Sequence, residues 1–283
     1  MSSLSVRWVR GDGGTFTADG SLLGLTAAEG LNEPALEVFS QKAALGDGDL
    51  VTGARVGSRE LAFTCKAKHS ICNDLLVRAL PSFFIASQTY DVQINRAGDC
   101  RIAAGCRLSA LEIPTENPAK PLTVKLSFLM PEGYFLSEDG FGQNIAGILG
   151  RCGYPYAALG AYGRLYGLYA YAQTVYLDND GDAEAFCKAV LYARGTVVNP
   201  RIQTGGGFVR LLTALAAGDT LVIDGRTKSV EKNGANAAAL LDRASDFSSL
   251  AFAPGTNTIS YTADVGANVL DVYVYYNKRF LGA

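Results

Sequence analysis

Apolar and polar side chains alternate along much of this chain, and a period of two predicts strands rather than helices. In Arg59-Glu60-Leu61-Ala62-Phe63-Thr64-Cys65, the residues Leu61, Phe63 and Cys65 fall on one side, as on a half-buried strand. Leu122, Val124, Leu126 and Phe128 repeat the pattern, and the stretch TYDVQINRAGDCRIAAGCRLSALEI alternates on either side of a turn at Ala97-Gly98-Asp99. One piece breaks the period. HSICNDLLVRAL puts Ile71, Leu75 and Leu76 on one helical face, with Ser70 as N-cap and Pro81 as stop.

Beyond residue 137 short strands are expected at 188–194, 206–213, 219–224, 257–263 and 269–276. Turns at Asp224-Gly225, Asn233-Gly234 and Pro254-Gly255 separate them. The last strand places Leu270, Val272, Val274 and Tyr276 on one face, and Val269, Asp271, Tyr273 and Tyr275 on the other. Gly205 to Gly207 reads as a flexible strand entry, and residues 236–244 as a short helix. The expected fold is mainly β: an α+β domain over 1–136, then a β-sandwich over 137–283, where the composition turns rich in Gly and Tyr.

Composition narrows the function. With 283 residues, 48% of them hydrophobic, the chain can bury a substantial core. A formal charge of -2 argues against a protein that holds nucleic acid by neutralising phosphates. No apolar stretch is long enough to span a bilayer, and the N-terminal residues carry no apolar signal region, so no membrane insertion is expected. Cysteines 65, 72, 100, 106, 152 and 187 have no zinc-knuckle spacing and one histidine, His69, for company, so reduced structural thiols are expected.

The stretch YLDNDGDAEAFC invites comparison with a calcium loop. With Gly181 at the sixth loop position, Tyr176 takes the first and Cys187 the twelfth, where carboxylates are needed. The EF-hand reading fails, and Asn179 to Asp182 reads as a turn, in which Asn and Asp side chains bond their own backbone and Gly181 accepts positive φ. His69 lacks the partners of a nucleophilic triad, and QTGGGFVR lacks the phosphate-loop pattern. No catalytic residue, metal site or cofactor site is assigned, and the chain is not expected to be an enzyme. Seven of the fourteen tyrosines lie between 154 and 176. Tyr162, Tyr166 and Tyr169 stand open to three readings: stacking on a glycan, a protein interface, or packing within the chain.

Three stretches carry a family resemblance. SRELAFTCKAK followed by a helix, LTVKLSFLMPEGYFLSE, and the set NDGDAEAFCKAVLYARGTVVNPRI, FAPGTNTISYT and VYVYYNKRFLG are similar to the distal tail protein (Dit) family of long-tailed, siphovirus-type bacteriophages and prophages. In the last set the shared turn positions are Asn179, Gly181 and Asp182, then Asn199-Pro200, then the Pro254, Gly255 and Asn257 of a hairpin. Phe186-Cys187 departs from the family, which often has a proline there, and residues 150–172 have no counterpart.

The resemblance implies a scaffold rather than a catalyst. A ring-forming N-terminal belt domain would be followed by a galectin-like β-sandwich. Six copies would form a ring joining the tail tube protein to the tail-tip hub, with genomic DNA passing through without sequence-specific binding. The location implied is the virion tail tip, after synthesis in the bacterial cytoplasm. The alternative is a carbohydrate-binding β-sandwich recognising a host surface saccharide.

Overall fold

In the computed structural model, residues 4–42, 47–70, 73–114, 120–138 and 174–283 are described in full, and 141–150 and 167–170 as backbone strands. The protein is mainly β. It divides into two compact units, one of residues 1–138 with 279–283, the other of residues 139–278.

The first unit begins with β1 (Leu4–Arg10), β2 (Thr15–Ala18), β3 (Leu23–Glu29), β4 (Leu36–Lys42), β5 (Asp49–Val56) and β6 (Arg59–Ala67). Helix α1 (Asn73–Phe83) follows, then β7 (Thr89–Arg96), β8 (Asp99–Glu112), β9 (Thr123–Met130) and β10 (Phe135–Ser137). An antiparallel sheet runs β2-β1-β7-β8-β9-β6-β3. The expected alternation produces it: Leu61, Phe63 and Cys65 on β6 and Val124, Leu126 and Phe128 on β9 are all buried. Ala97 and Gly98, both at positive φ, make the tight turn between β7 and β8.

Trp8 is fully buried at the centre of this core, with ring centroids of Phe63 and Phe84 both 5.6 Å away and edge-on. Leu76 and Leu80 of α1 are buried in the same core. The helix differs from its sequence reading in three ways. Its first residue is Asn73 and not one capped by Ser70; the Asn73 side chain donates to the Lys120 carbonyl and accepts from the Leu122 amide. Leu75 is exposed, because Leu76 and Leu80, one turn apart, define the buried stripe. Pro81 lies inside the helix rather than ending it. Proline removes only one amide donor, and the bond from the Phe84 amide to the Leu80 carbonyl (2.8 Å) continues the turn beyond it. The buried Tyr90 hydroxyl then secures the exit, accepting from the Ile85 amide at 2.6 Å and donating to the Phe83 carbonyl.

The second unit contains β11 (Phe141–Gly150), β12 (Gly167–Ala170), β13 (Thr174–Asn179), β14 (Ala185–Ala193), β15 (Val197–Val198), β16 (Arg201–Thr204) and β17 (Gly207–Arg210). It continues with β18 (Ala214–Leu215), β19 (Thr220–Asp224), β20 (Ser229–Lys232), β21 (Ala235–Asn236), β22 (Ala251–Phe252), β23 (Gly255–Thr262) and β24 (Leu270–Tyr276). One sheet runs β12-β11-β24-β14-β19-β20-β21, and a four-stranded sheet runs β13-β23-β16-β17. Inward residues of both form one core, with Cys187, Leu191, Leu221 and Val272 from the first and Leu177, Ile202, Val209 and Ile259 from the second. Of the two faces read for the last strand, the one with Leu270, Val272, Val274 and Tyr276 is buried.

Three local readings are corrected here. Gly205-Gly206 is the two-residue turn of the β16–β17 hairpin, not a loose strand entry. The helix expected over 236–244 is a single 3-10 turn at Ala238–Leu240. Pro254-Gly255 does not close a hairpin, because β22 pairs with β14 while β23 pairs with β13 and β16. Gly255 does adopt positive φ, and the turn carries the chain from one sheet to the other.

Strand β25 (Arg279–Phe280) returns to the first unit and pairs with β10. Residues 279–283, which the sequence reading grouped with the C-terminal domain, thus lie outside the second unit. Arg101 sits 3.4 Å over the Phe280 ring, and Arg279 lies 4.0 Å over that of Tyr134.

Candidate functional site

Among the described residues, strands β4 and β5 pair only with each other, Leu36 opposite Val56 and Val38 opposite Ala54. Every residue of β4 is exposed, and so is β5 as far as Arg55. Five of its large side chains are nonetheless apolar: Leu36 is 66% exposed, Val38 62%, Phe39 47%, Leu50 66% and Val51 62%. An isolated two-stranded ribbon has little stability in water, and clustered exposed aliphatic groups mark a surface that another molecule covers. On one face Arg55 holds Glu37 at 2.6 Å and lies 5.4 Å over the Phe39 ring, so charge is confined there to a compensated pair.

The root of this ribbon is anchored by Arg59, which is almost fully buried. Its Nη1 donates to the carbonyls of Gly30 and Leu31, and its Nη2 to those of Gly133 (2.6 Å) and Leu281 (2.9 Å). The guanidinium also lies 5.1 Å over the Phe135 ring. Burial lowers its pKa from the ordinary value. Two glycines make the clamp possible. Gly30 and Gly133 have φ of 78° and 69°, and a Cβ on them would meet the Glu60 and Gly57 carbonyl oxygens at 2.1 and 2.3 Å. The Gly57 amide bonds the Ala35 carbonyl at 2.7 Å and closes the ribbon's base. Nothing in the local pattern around Arg59 marked it as a buried cation; its partners are up to 222 positions away.

The sequence-assigned turn residues lie in the second unit. Asn179 is buried, donating to the carbonyls of Ala183 and Phe252 and accepting from the Gly181 amide at 3.0 Å. Gly181 does not use positive φ as expected; the Asn179 side chain makes the turn instead, and Gly181 is buried against it. Asp178 accepts from the Thr256 hydroxyl at 2.7 Å, Lys278 pairs with Asp180, and Asp182 is exposed. Asn199 takes left-handed φ of 51° and donates to Asp264, while the Pro200 carbonyl accepts from Leu211. Asn257 donates to the Ala253 and Gly255 carbonyls across the Pro254 turn. These residues are dispersed structural links and converge on no common site. Tyr162 and Tyr166 lie outside the described residues, and Tyr169 is placed only as backbone, opposite Ile148.

Among the described residues no three His, Cys, Asp or Glu side chains are grouped to hold a metal ion. Cys65, Cys100, Cys106 and Cys187 are free and buried. Desolvation pushes the thiols of Cys65 and Cys106 up to about 12, that of Cys100 up to about 11, and raises that of Cys187 further. Since thiolate is the reactive species, iodoacetamide at pH 8 is expected to leave these four unmodified in folded protein and to label all of them in denaturant. Peptide mapping reads the result; labelling of native Cys187 would contradict its burial.

Comparison with known proteins bears on the whole arrangement. Residues 180–280 match the family model described as siphovirus-type tail component, C-terminal domain (SPP1_Dit). That stretch of the chain is similar to the C-terminal domain of Dit tail proteins. The fold of the Dit protein of phage SPP1, described as a paradigm of the hub adsorption apparatus in phages infecting Gram-positive hosts, is similar with a TM-score of 0.65 at 11% identity, over 98% of this chain and 99% of that one. A chain of the phage P2 baseplate in its activated, calcium-containing conformation aligns over 100% of both chains, with a TM-score of 0.56 and 9% identity. At such identities these likenesses are of fold. No curated protein sequence matches. The match to a siphovirus-type tail component supports a structural role in a phage tail or baseplate, and with it a location in the virion tail.

Proposed function

We propose that this chain is a Dit-type tail protein that forms a hexameric ring, joins the tail tube to the tail-tip hub and lets genomic DNA pass during infection. The first unit, residues 1–138 with 279–283, acts as the ring-forming belt, and residues 139–278 as a galectin-like sandwich. The protein is made in the host cytoplasm, works without a cofactor and carries no catalytic activity.

The observation that supports this most is the exposed apolar ribbon β4–β5. Copies that each lay such a ribbon on a different surface of the next make a head-to-tail contact, and this contact repeats until rotation closes a ring. Electron microscopy and native mass spectrometry of the purified chain test the reading. The expected particle has six copies and an open bore. A strictly monomeric chain at high concentration overturns it.

A further inference from the structure

The outward face of the four-stranded sheet in the second unit is built unlike the β4–β5 ribbon. Register alone brings Thr174, Ser260, Gln203 and Phe208 into one row across β13, β23, β16 and β17. Tyr176 and Thr258 form the neighbouring row on the same side. Strands stand about 4.8 Å apart, so the longer row spans about 14 Å. The inward partners of these residues, Leu177, Ile259, Ile202 and Val209, are buried, which holds the outward set on a fixed lattice.

The middle of the face consists of hydroxyls and an amide, whereas the centre of a protein interface is apolar and aromatic. Tyr176, 71% exposed, offers an aromatic surface at one side. On the other, the Arg201 guanidinium lies 3.8 Å over the Phe208 ring. Its buried Nε has no hydrogen-bond partner, and among the described residues Arg201 has no carboxylate within ion-pair distance. The contrast with Arg210, directly opposite on β17, is instructive: that guanidinium is neutralised by Asp264 at 2.7 Å and Asp242 at 3.7 Å. Of the two arginines, Arg201 is therefore the one that no carboxylate contacts, and it stands at the edge of a hydroxyl lattice.

We propose that this face binds an anionic saccharide, with Tyr176 against the C–H face of a sugar ring, Thr258, Ser260 and Gln203 bonded to its hydroxyls, and Arg201 paired with a carboxylate or phosphate. A polyol supplies both donors and acceptors at pyranose spacing, which the hydroxyl and amide groups match. An acid group on the sugar supplies the counter-ion that Arg201 lacks. The proposal is independent of ring formation and uses none of the tyrosines between 162 and 169.

Saturation-transfer NMR and calorimetry on the full-length chain, in whatever oligomer it adopts, provide the test. The probes are trigalacturonate for a carboxylate, glucose 6-phosphate for a phosphate, maltotriose as the neutral sugar and inorganic phosphate as the bare ion. Saturable binding of one of the two acidic saccharides is expected, weakened by added salt. Arg201→Gln and Tyr176→Ala are each expected to weaken it about tenfold with an unchanged melting temperature. Thr258→Val is expected to weaken it less, without touching charge or ring. Failure of both acidic saccharides at millimolar concentration overturns the proposal. So does inorganic phosphate binding as tightly as either of them, or maltotriose binding equally well, or Arg201→Gln leaving affinity unchanged.

Discussion

A chain carrying Val38→Asp together with Leu50→Asp is expected to remain a folded monomer under conditions where the parent assembles. Both positions are nearly two-thirds exposed in the isolated chain, at 62% and 66%. Neither contributes to the buried core of the first unit. Exposed substitutions of this kind shift stability by about 0.5 kcal/mol or less, so the melting temperature is expected to hold. In an assembly that covers the ribbon, each site loses the roughly 1.5–3 kcal/mol of a buried aliphatic side chain and adds the cost of desolvating a carboxylate. The loss is about 4 kcal/mol or more per contact, a thousandfold or greater change in affinity. Native mass spectrometry distinguishes the outcomes directly. Persistence of the parent oligomer in the double variant would show that the ribbon is not part of the interface.

The second large effect is expected at Arg59. Arg59→Met keeps much of the side chain's volume but leaves four carbonyls, those of Gly30, Leu31, Gly133 and Leu281, without their charged donor. Stranding buried acceptors costs about 1–3 kcal/mol each before relaxation and water entry, and breaking a buried charged network typically costs about 3–5 kcal/mol in total. Arg59→Lys is expected to recover little, because one ammonium cannot reproduce a planar fork reaching four oxygens. Trp8, the chain's single tryptophan, lies in the core of this unit and reports its unfolding by fluorescence. The expected result is an early fluorescence transition for both variants. A transition coincident with the parent's would mean that packing, not the clamp, holds the root of the ribbon. Gly30 and Leu31 lie between β3 and β4, so the clamp also fixes the chain that leads into the ribbon.

Much of the architecture could be read from local pattern. Alternation placed β6, β9 and β24 and sorted their residues into two faces, because side chains two apart share a side of any strand. Turn chemistry placed the bend at Ala97-Gly98, where both residues take left-handed φ. The family resemblance rested on order and spacing along the chain, which survive when contacts are unknown. The candidate site was less legible. In β4 and β5 the residues look like any strand pair, and nothing in LEVFSQK or DLVTGARV announces that no second layer covers them.

Other features belong to tertiary contact alone. Pro81 reads as a helix stop by propensity, yet the packing of Leu80 and Phe84 carries the turn past it. Pro254-Gly255 reads as a hairpin, but its flanking strands belong to different sheets. Gly181 reads as a left-handed turn residue, while the buried Asn179 amide does that work. The sequence by itself thus determined many of the strands, which of their residues share a side, and which family the chain resembles, since these follow from neighbours a few residues apart. Only the tertiary structure decided that Arg59 is a clamp, that residues 279–283 return to the first unit, and that one ribbon is left uncovered. Each of these depends on which distant segments meet, and pairing between strands leaves no mark on either strand alone.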